Sequence, residues 1–301
     1  MAPIILRKLA RAGRNRELTW RYVFNLTSTL AYQLGRRPLS AEVDRVQREL
    51  KEHGIAVTSA AALLENSLCY QALLEEVADL EAHHADQLAA ARLSSEDTNA
   101  IGQKTFNVEL LGEHPRLDLD SIYARFALQE EILQTANAYF GMYTRLRYFN
   151  VWHTLTTRSQ PRESQLWHRD REDFHILKMF LYLCDVDEGA GPFTYATGSH
   201  IRSNISREPE CFMEGNVKRS NDSQMAKVIP PSRWKMGAGP KGTIVFADTS
   251  GYHKGGLARE HDRIMYTCMF TSQASQSKEF MLRPAELSRP ADKDVRFAVA
   301  S

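Results

Sequence analysis

The pattern of apolar residues changes at Gly141, and this change limits the possible folds more than any other feature of the sequence. Beyond that glycine, short runs rich in aromatic and β-branched residues recur, separated by turn sequences such as "DEGAGP" and "MGAGPKG". The runs are "RLRYFNVWHTLTT", "LWHRD", "ILKMFLYLCDV", "PFTYAT", "GTIVFADT" and "RIMYTCMFT". Short strands at regular spacing with turn signals are typical of a β-sandwich or barrel.

The first half of the chain reads as helical. Residues 40–54, "SAEVDRVQRELKEHG", place apolar side chains at i, i+3 and i+7, with Ser40 and Gly54 as predicted caps. "IAV" follows as a short predicted strand, and residues 59–93 and 117–141 are predicted to be further helices. The two halves together predict an α+β fold in which helices cover one side of a β-barrel.

These patterns divide the chain into three parts. Residues 1–38 are predicted to form a basic helical extension, and residues 291–301 a C-terminal tail. Residues 39–290 are predicted to form a single domain, helical over 39–141 and with a β core over 142–275.

The composition disfavours several classes of function. A net charge of +1 argues against nucleic acid as the main partner, because phosphate binding needs a clear basic excess. The four cysteines form no CxxC pair, so neither a zinc knuckle nor a disulfide framework is indicated. Reduced thiols in the cytoplasm are the simplest interpretation. No run of about 18 apolar residues occurs, so no segment is expected to span a membrane.

The N-terminal segment is unusually basic. "MAPIILRKLARAGRNRELTWRYVF" carries six Lys and Arg residues against a single acid, Glu17. Such a start occurs in organellar transit peptides and in membrane-surface helices. A solvated helix packed on the domain is the favoured interpretation, because charge runs are usually solvated faces. Peripheral membrane contact through residues 1–38 is the alternative.

Two His-x-Asp pairs could hold a metal ion, and predicted secondary structure separates them. His84 and Asp86 lie in a helical stretch, where residues two apart point in different directions. His168 and Asp170 lie in a predicted strand, where side chains at i and i+2 leave the same face. His253 follows the apolar run "GTIVFADTSGY", so it is expected at a strand end near the mouth of the barrel.

Two histidines and one carboxylate form the facial triad of non-heme Fe(II) oxygenases, which leaves open coordination positions on the metal. Imidazole and carboxylate ligands without a thiolate suit Fe(II). His168, Asp170 and His253 are therefore the predicted metal-binding and catalytic residues.

Arg263 opens the next β run, ten residues after His253. On a strand it shares one face with Met265, Thr267 and Met269. An arginine among apolar barrel residues needs an anionic partner, and its planar fork matches a carboxylate bidentately. The distal carboxylate of 2-oxoglutarate would provide that partner.

Two strings resemble the signatures of the phytanoyl-CoA dioxygenase family. "WHRDREDFHILKMFLYLCDVDEGAGPFTYATGSH" is similar to the family's central signature, and "GTIVFADTSGYHKGGLAREHDR" to its second. The resemblance covers roughly residues 40–275. It implies a double-stranded β-helix (jelly-roll, cupin-like) core that uses Fe(II), 2-oxoglutarate and O2.

The resemblance also implies roles for single residues. It assigns the iron to His168, Asp170 and His253, and the carboxylate of 2-oxoglutarate to Arg263. Asn150 and Lys178 match further co-substrate contacts more loosely; the Lys178 stem could instead line the sheet while its amine reaches solvent. Related halogenases replace the carboxylate ligand with a small residue, so the presence of an aspartate disfavours halogenation.

The expected reaction is hydroxylation, or another oxidation, of an unactivated C–H bond, with 2-oxoglutarate converted to succinate and CO2. The substrate would be a small organic or lipid-like molecule. Residues 201–235 lack periodicity, and a long loop in a compact domain is usually functional, so we expect a lid there. Candidates for lining the pocket, each of which core packing would also explain, are Trp152, Trp167, His175 and Trp234.

Other classes of protein stay open at this point. A cupin-like metal-dependent isomerase or hydrolase would turn over without oxygen and would not need Arg263. A non-catalytic barrel would be indicated by loss of a metal ligand, but His168, Asp170 and His253 are all present. A peripheral membrane enzyme acting on a lipid would use the basic N-terminal segment.

Overall fold

The computed structural model describes residues 16–94, 106–214, 217–284 and 290–300. The helices are α1 (Leu26–Gly35), α2 (Ala41–His53), α3 (Ala60–Leu63), α4 (Leu68–His83), α5 (Ala85–Ser94), α6 (Ile122–Ala127), α7 (Glu130–Phe140), α8 (Asp222–Ala226) and α9 (Lys293–Ala298). A π-helical turn, Trp20–Phe24, precedes α1. Single 3-10 turns occur at Glu163–Gln165, Glu188–Ala190, Arg202–Asn204 and Pro231–Arg233.

The strands form one large and two small sheets. They are β1 (Ile55–Ser59), β2 (Asn107–Glu109), β3 (Arg145–Thr154), β4 (Leu177–Tyr182), β5 (Thr194–Ala196), β6 (Phe212–Glu214), β7 (Val217–Arg219), β8 (Trp234–Met236), β9 (Thr243–Asp248), β10 (His253–Lys254) and β11 (Arg263–Thr271). The six-stranded sheet has the order β1-β9-β4-β11-β3-β2, the second sheet β10-β5-β8, and β6 pairs with β7. Every strand pairing is antiparallel.

The two faces of the large sheet have different neighbours. On β4, Met179 and Leu181 belong to the main apolar core, which the helices complete. The alternate residues Phe180 and Tyr182 belong to a second core, which includes Tyr195 from the three-stranded sheet. Side chains of a strand alternate between its faces, so helices cover one face of the large sheet and the small sheet lies over the other. The mixed helical and antiparallel architecture agrees with the predicted α+β class.

The predicted helix over residues 40–54 is confirmed together with both of its caps. Ser40 has extended dihedrals, and its side chain accepts a hydrogen bond from the Val43 amide. Gly54 ends the helix with φ of 77°, a conformation that a residue with a Cβ rarely adopts. "IAV" is confirmed as part of β1.

The structure differs from the prediction at three places in the chain. The single helix predicted over 117–141 is two helices, α6 and α7, because Gln129 leaves the helical region with ψ of 142°. The large sheet has a strand that was not predicted, β2, at one edge, in the half of the chain that was predicted to be mainly helical. Residues 201–235 contain β6, β7 and α8 and are therefore more regular than a loop.

The terminal parts of the described chain pack on the domain. Trp20 is buried in the main core, and so are Ala298 and Val299 from the end of the chain. Among the described residues, no helix has the length and apolar character needed to cross a bilayer.

Candidate metal centre

The segment around His168 runs alongside the turn that follows β9. The His168 amide donates to the His253 carbonyl at 3.0 Å, and the His253 amide donates to the His168 carbonyl at 3.0 Å. The Asp170 amide donates to the Thr249 carbonyl at 2.9 Å. "LWHRD" was predicted to be a strand. In the structure it pairs through isolated bridges at Trp167 and His168 and is not part of a continuous strand. These few bonds nevertheless orient His168 and Asp170 towards His253.

Three side chains meet at this point with the spacing of a metal site. One ligand atom from each of His168, Asp170 and His253 lies within 4.8 Å of the other two. His168 Nε2 is 3.9 Å from Asp170 Oδ1, and His253 Nε2 is 3.7 Å from Asp170 Oδ2. The structure thus brings together the three residues that the sequence analysis selected as ligands.

Both imidazoles are held in the same tautomer by backbone carbonyls. His168 Nδ1 lies 2.8 Å from the Leu166 carbonyl oxygen, and His253 Nδ1 lies 3.0 Å from the Gly251 carbonyl oxygen. A carbonyl only accepts, so Nδ1 carries the proton and the Nε2 lone pair faces Asp170. In histidines that bind metal, the ring nitrogen that does not bind the metal usually donates a hydrogen bond in this way.

Burial keeps both rings uncharged. It lowers the pKa of His168 well below its usual value, and the neighbouring His253 lowers it further. Burial also lowers the pKa of His253. Metal binding needs neutral imidazole, so the site requires no proton loss from either histidine at neutral pH.

Asp170 is ionised and has a cation beside it. Lys178, on the inner face of β4, places its Nζ 2.7 Å from Asp170 Oδ2. Burial alone would raise the pKa of Asp170, but Lys178 and then His253 hold that pKa well below its usual range. The Lys178 amine therefore contacts a predicted metal ligand instead of reaching solvent.

A cavity of about 620 Å³ opens in front of the three predicted ligands. One side of the cavity is the inner face of β11. It is lined by Arg263, Met265, Thr267 and Met269, which were predicted to share one face of a strand. Further lining residues include Lys178, Phe180 and Phe193 close to the triad and Tyr148, Trp152 and Phe280 on an aromatic wall. A pocket of this size and mixed lining suits a small organic molecule.

Arg263 is a buried cation without a described anionic partner. Its side chain lines the cavity, and the residue is 4% exposed. Nη2 lies 3.5 Å from the Thr154 hydroxyl, while Nε and Nη1 have no hydrogen-bond partner among the described residues. Burial lowers the pKa of the guanidinium. A buried cation of this kind is costly unless an anion enters the cavity, so the geometry fits the carboxylate of a ligand.

Known structures align with the fold of this chain. EctD from S. alaskensis with bound Fe aligns with a TM-score of 0.52 and 13% identity over 83% of this chain and 89% of EctD. EctD with 2-oxoglutarate and 5-hydroxyectoine aligns with a TM-score of 0.51 and 15% identity, over 87% and 88% of the two chains. SnoN with Fe3+, alpha ketoglutarate and nogalamycin RO aligns with a TM-score of 0.48 and 16% identity, over 77% and 84%.

The fold of this chain is similar to that of EctD. No protein-family model and no curated protein sequence matches it. At these identities the likeness concerns the fold, so the chemistry of the site has to be argued from the residues of this chain.

Asn150 lies on the cavity side of β3, but its amide is fully used inside the protein. Its nitrogen donates to the Gly112 carbonyl at 2.8 Å and to Glu109 at 3.4 Å. Its oxygen accepts from the amides of Leu111 at 3.1 Å and Val151 at 2.9 Å. Four bonds exhaust the capacity of a carboxamide, so Asn150 fixes the turn after β2 and has no group left for a co-substrate.

The other candidates from the sequence lie apart from the cavity, with one exception. Trp152 lines the cavity, whereas Trp167 packs against Trp234, with ring centroids 4.9 Å apart, in a separate apolar cluster. His84 lies at the junction of α4 and α5, where its Nδ1 is 2.7 Å from Gln87 Oε1.

His175 belongs to a buried network that supports the His253 turn. Its Nδ1 lies 2.6 Å from Asp248 Oδ2, which also accepts a bond from the Tyr139 hydroxyl. The other oxygen of Asp248 accepts from the Ser250 amide at 3.0 Å. Sequence reasoning missed this role, although an aspartate at the end of the apolar run "TIVFAD" is a signal for a buried carboxylate.

A second network that the sequence analysis missed lies beside Arg263. His153, on β3, bonds to Glu81 Oε1 at 2.9 Å and to Asp262 Oδ2 at 2.8 Å. Arg92 completes it, with Nη2 2.5 Å from the same oxygen of Asp262. Burial alone would lower the pKa of His153, but hydrogen bonds to Asp262 and Glu81 raise that pKa to about 9. The cluster fixes the start of β11 to the helices.

Proposed function

We propose that this protein is an Fe(II)- and 2-oxoglutarate-dependent dioxygenase. In this proposal it oxidises an unactivated C–H bond of a small organic or lipid-like substrate, with hydroxylation as the default outcome, and converts 2-oxoglutarate to succinate and CO2. One observation carries the proposal. A His-Asp-His cluster and a buried arginine without a described anionic partner face the same cavity.

The donor set supports iron as the metal. Two neutral imidazoles and one monoanionic carboxylate, without a cysteine in the cluster, match the facial triad of non-heme Fe(II) enzymes. His168, Asp170 and His253 would hold the metal through Nε2, a carboxylate oxygen and Nε2. The structural neighbour EctD is known with bound Fe and with 2-oxoglutarate, which agrees with this choice.

The position of Arg263 supports 2-oxoglutarate as the co-substrate. Nε and Nη1 have no hydrogen bonds among the described residues, and each forms with Nη2 a fork that can bind a carboxylate through two parallel bonds. The hydroxyl of Thr154, already within 3.5 Å of Nη2, would steady that fork. An isomerase or hydrolase would leave this buried cation without a function.

The residues of this chain would each have a defined task in turnover. Fe(II) and 2-oxoglutarate, when bound, supply the activation of O2 and the oxidising power. Lys178 orients the Asp170 carboxylate by occupying Oδ2 at 2.7 Å, which favours binding of the metal through one oxygen. Phe180, Phe193 and Met265 make the wall near the triad apolar and keep bulk water out.

The proposal extends to fold and family. We propose that the two facing sheets form a double-stranded β-helix within one domain over 39–290, and that the chain belongs with the phytanoyl-CoA dioxygenase family. Val217 and Arg219 line the cavity, which supports a lid role for residues 201–235. Cytoplasmic location remains our proposal; the free thiols of Cys69, Cys184, Cys211 and Cys268 agree with it.

Succinate release from 2-oxoglutarate, measured over a screen of lipid, amino-acid-derived and natural-product substrates, tests the reaction class. We expect succinate only when Fe(II) and O2 are both present. His168→Ala should abolish release, and His84→Ala, which changes the other His-x-Asp pair, should leave it intact. Turnover of a substrate without O2 would instead identify an isomerase or hydrolase.

A further inference from the structure

The helical segment 16–35 is fixed to the domain by an unusually polar face. Its buried residues are Trp20, Asn25, Ser28 and Thr29. Trp20 Nε1 donates to Asp173 at 2.8 Å, and the Asn25 side chain accepts from the Ala274 amide at 3.0 Å. The segment therefore has a definite orientation on the protein, set largely by hydrogen bonds.

The outward face of the same segment is apolar, which inverts the usual arrangement of a surface helix. Phe24 is 68% exposed and Leu34 is 88% exposed. The complete set, here called the outer apolar face, is Leu18, Tyr22, Val23, Phe24, Leu26, Leu30 and Leu34. It holds seven of the fourteen exposed large apolar side chains among the described residues. Exposed apolar side chains concentrated in this way mark an interaction surface.

The apolar positions are in line along the segment. Leu18, Tyr22, Leu26, Leu30 and Leu34 recur every fourth residue. In a regular α-helix, side chains four residues apart rotate gradually around the helix axis. The π-helical turn Trp20–Phe24 contains one extra residue, which reduces this rotation. The Asn25 amide bonds to the Trp20 carbonyl at 3.1 Å, which is the five-residue bond of that turn. All five of these side chains are exposed, so they lie on the outward side of the segment.

Arg21, which pairs with Glu17, is the one charged residue between Leu18 and Leu34. The chain has no charged residue between Arg21 and Arg36, and Arg16 and Arg36 are exposed at either end of the segment. In sequence, residues 1–16 carry Arg7, Lys8, Arg11, Arg14 and Arg16 and no acid. An apolar helical face beside a concentration of positive charge is the chemistry that binds an anionic lipid surface.

We propose that the outer apolar face docks this protein on the surface of an anionic membrane. Leucine and aromatic side chains would enter the boundary between headgroups and acyl chains, and the flanking arginines would contact lipid phosphates. Ten residues of α1 are too few to span a bilayer, so the segment would lie on the surface.

A second copy of this chain is a less suitable occupant. In a two-fold contact the same surface meets itself, which would bring the positive ends of both segments, Arg16 and Arg36, towards those of the partner. Like charges brought together oppose such a contact, whereas an anionic lipid surface is attracted by them.

Vesicle sedimentation of the full chain tests the proposal without any use of activity. We expect the protein to sediment with phosphatidylcholine vesicles that contain about one-third phosphatidylserine, and far less with pure phosphatidylcholine. Leu34→Glu should reduce the partition coefficient at least about tenfold, because it removes an inserted side chain and adds a repelled charge. Leu26→Glu serves as a second variant, with folding of each checked by thermal melting.

Leu93→Glu is the matched control, because Leu93 is 87% exposed and lies on α5, away from the outer apolar face. It should bind vesicles like the unaltered protein. Equal loss of binding in Leu93→Glu and Leu34→Glu would overturn the proposal, as would absence of sedimentation or equal binding to neutral vesicles. A dimer in sedimentation velocity that Leu34→Glu dissociates would show that a second copy covers the face instead. Succinate release does not enter these outcomes, so failure here is distinct from failure of the proposed chemistry.

Discussion

At the scale of single residues, the charge of the triad is balanced by Lys178. The two imidazoles are neutral, so Asp170 brings a buried negative charge that the lysine ammonium neutralises at 2.7 Å. A bound divalent cation would neutralise the same carboxylate. The lysine should therefore matter most for the protein before it binds metal.

Lys178→Met should destabilise the metal-free protein by roughly 3–5 kcal/mol, because it leaves a buried carboxylate unpaired. Binding of a divalent metal should restore most of that loss. Urea unfolding with chelator and with saturating metal, both without oxygen, measures the two values. Lys178→Arg keeps the charge and is the control. An equal loss of stability with and without metal would contradict this account of Lys178.

Arg263 differs from Asp170, because its buried charge has no anionic partner among the described residues. Arg263→Met should raise the stability of the ligand-free protein by about 1–3 kcal/mol, because it removes a buried cation without a described anion. The same change should weaken 2-oxoglutarate binding by about 10- to 100-fold and leave metal affinity unchanged. Thermal melting and titration calorimetry measure these effects. Lower stability together with unchanged 2-oxoglutarate affinity would assign Arg263 a purely structural role.

Sequence reasoning selected the three residues that the structure brings together as a possible metal site, and it missed contacts between residues distant in the chain. His168, Asp170 and His253 could be selected from residue type and strand position. Asn150 could not be assigned correctly, because its partners belong to the turn after β2, some forty residues earlier. No local pattern indicates that pairing.

At the scale of elements, His153 adds a polar link between the helices and the large sheet. It joins Glu81 of α4 to Asp262, which directly precedes β11 and Arg263. The titratable and charged groups around it are Glu81, Asp262 and Arg92. Protonated His153 has two carboxylate partners, so its charge contributes to the position of β11.

This cluster predicts a pH dependence of stability. The pKa of His153 is raised to about 9 in the folded protein, above the value of about 6.5 expected when unfolded. Protonation therefore stabilises the fold fully below about pH 6.5, and this contribution is lost as the pH rises through about 9. Allowing for partial solvent screening, we expect roughly 2 kcal/mol. Urea unfolding between these pH values measures it, and His153→Gln should flatten the profile. Equal slopes for both proteins would contradict the assignment.

Elements with complete local signals were predicted well. Helix α2 carries its own stripe and both caps, so its limits follow from the sequence. The break between α6 and α7 at Gln129 has no proline or glycine to mark it, so it was missed. The three-residue strand β2 is too short for a period to be recognised, and it is defined by pairing with β3.

At the scale of the whole molecule, the chain presents two separate surfaces with different chemistry. The cavity collects the triad, Lys178 and Arg263 between the sheets. The outer apolar face lies on the segment 16–35, held to the core by Trp20 and Asn25. The order of helices before strands predicted the α+β class, but the arrangement of the sheet strands depends on long-range pairing that a single sequence does not encode.

The central claim is that one cavity binds Fe(II) at the triad and 2-oxoglutarate at Arg263. An anaerobic absorbance titration tests both parts, because 2-oxoglutarate bound to Fe(II) through its 2-oxo acid end is expected to give a weak visible charge-transfer band. We expect the band in the unaltered protein and in His84→Ala, and its loss in His168→Ala. In Arg263→Ala the band should appear only at much higher 2-oxoglutarate concentration. Absence of the band in the unaltered protein at saturating Fe(II) and 2-oxoglutarate would contradict the claim.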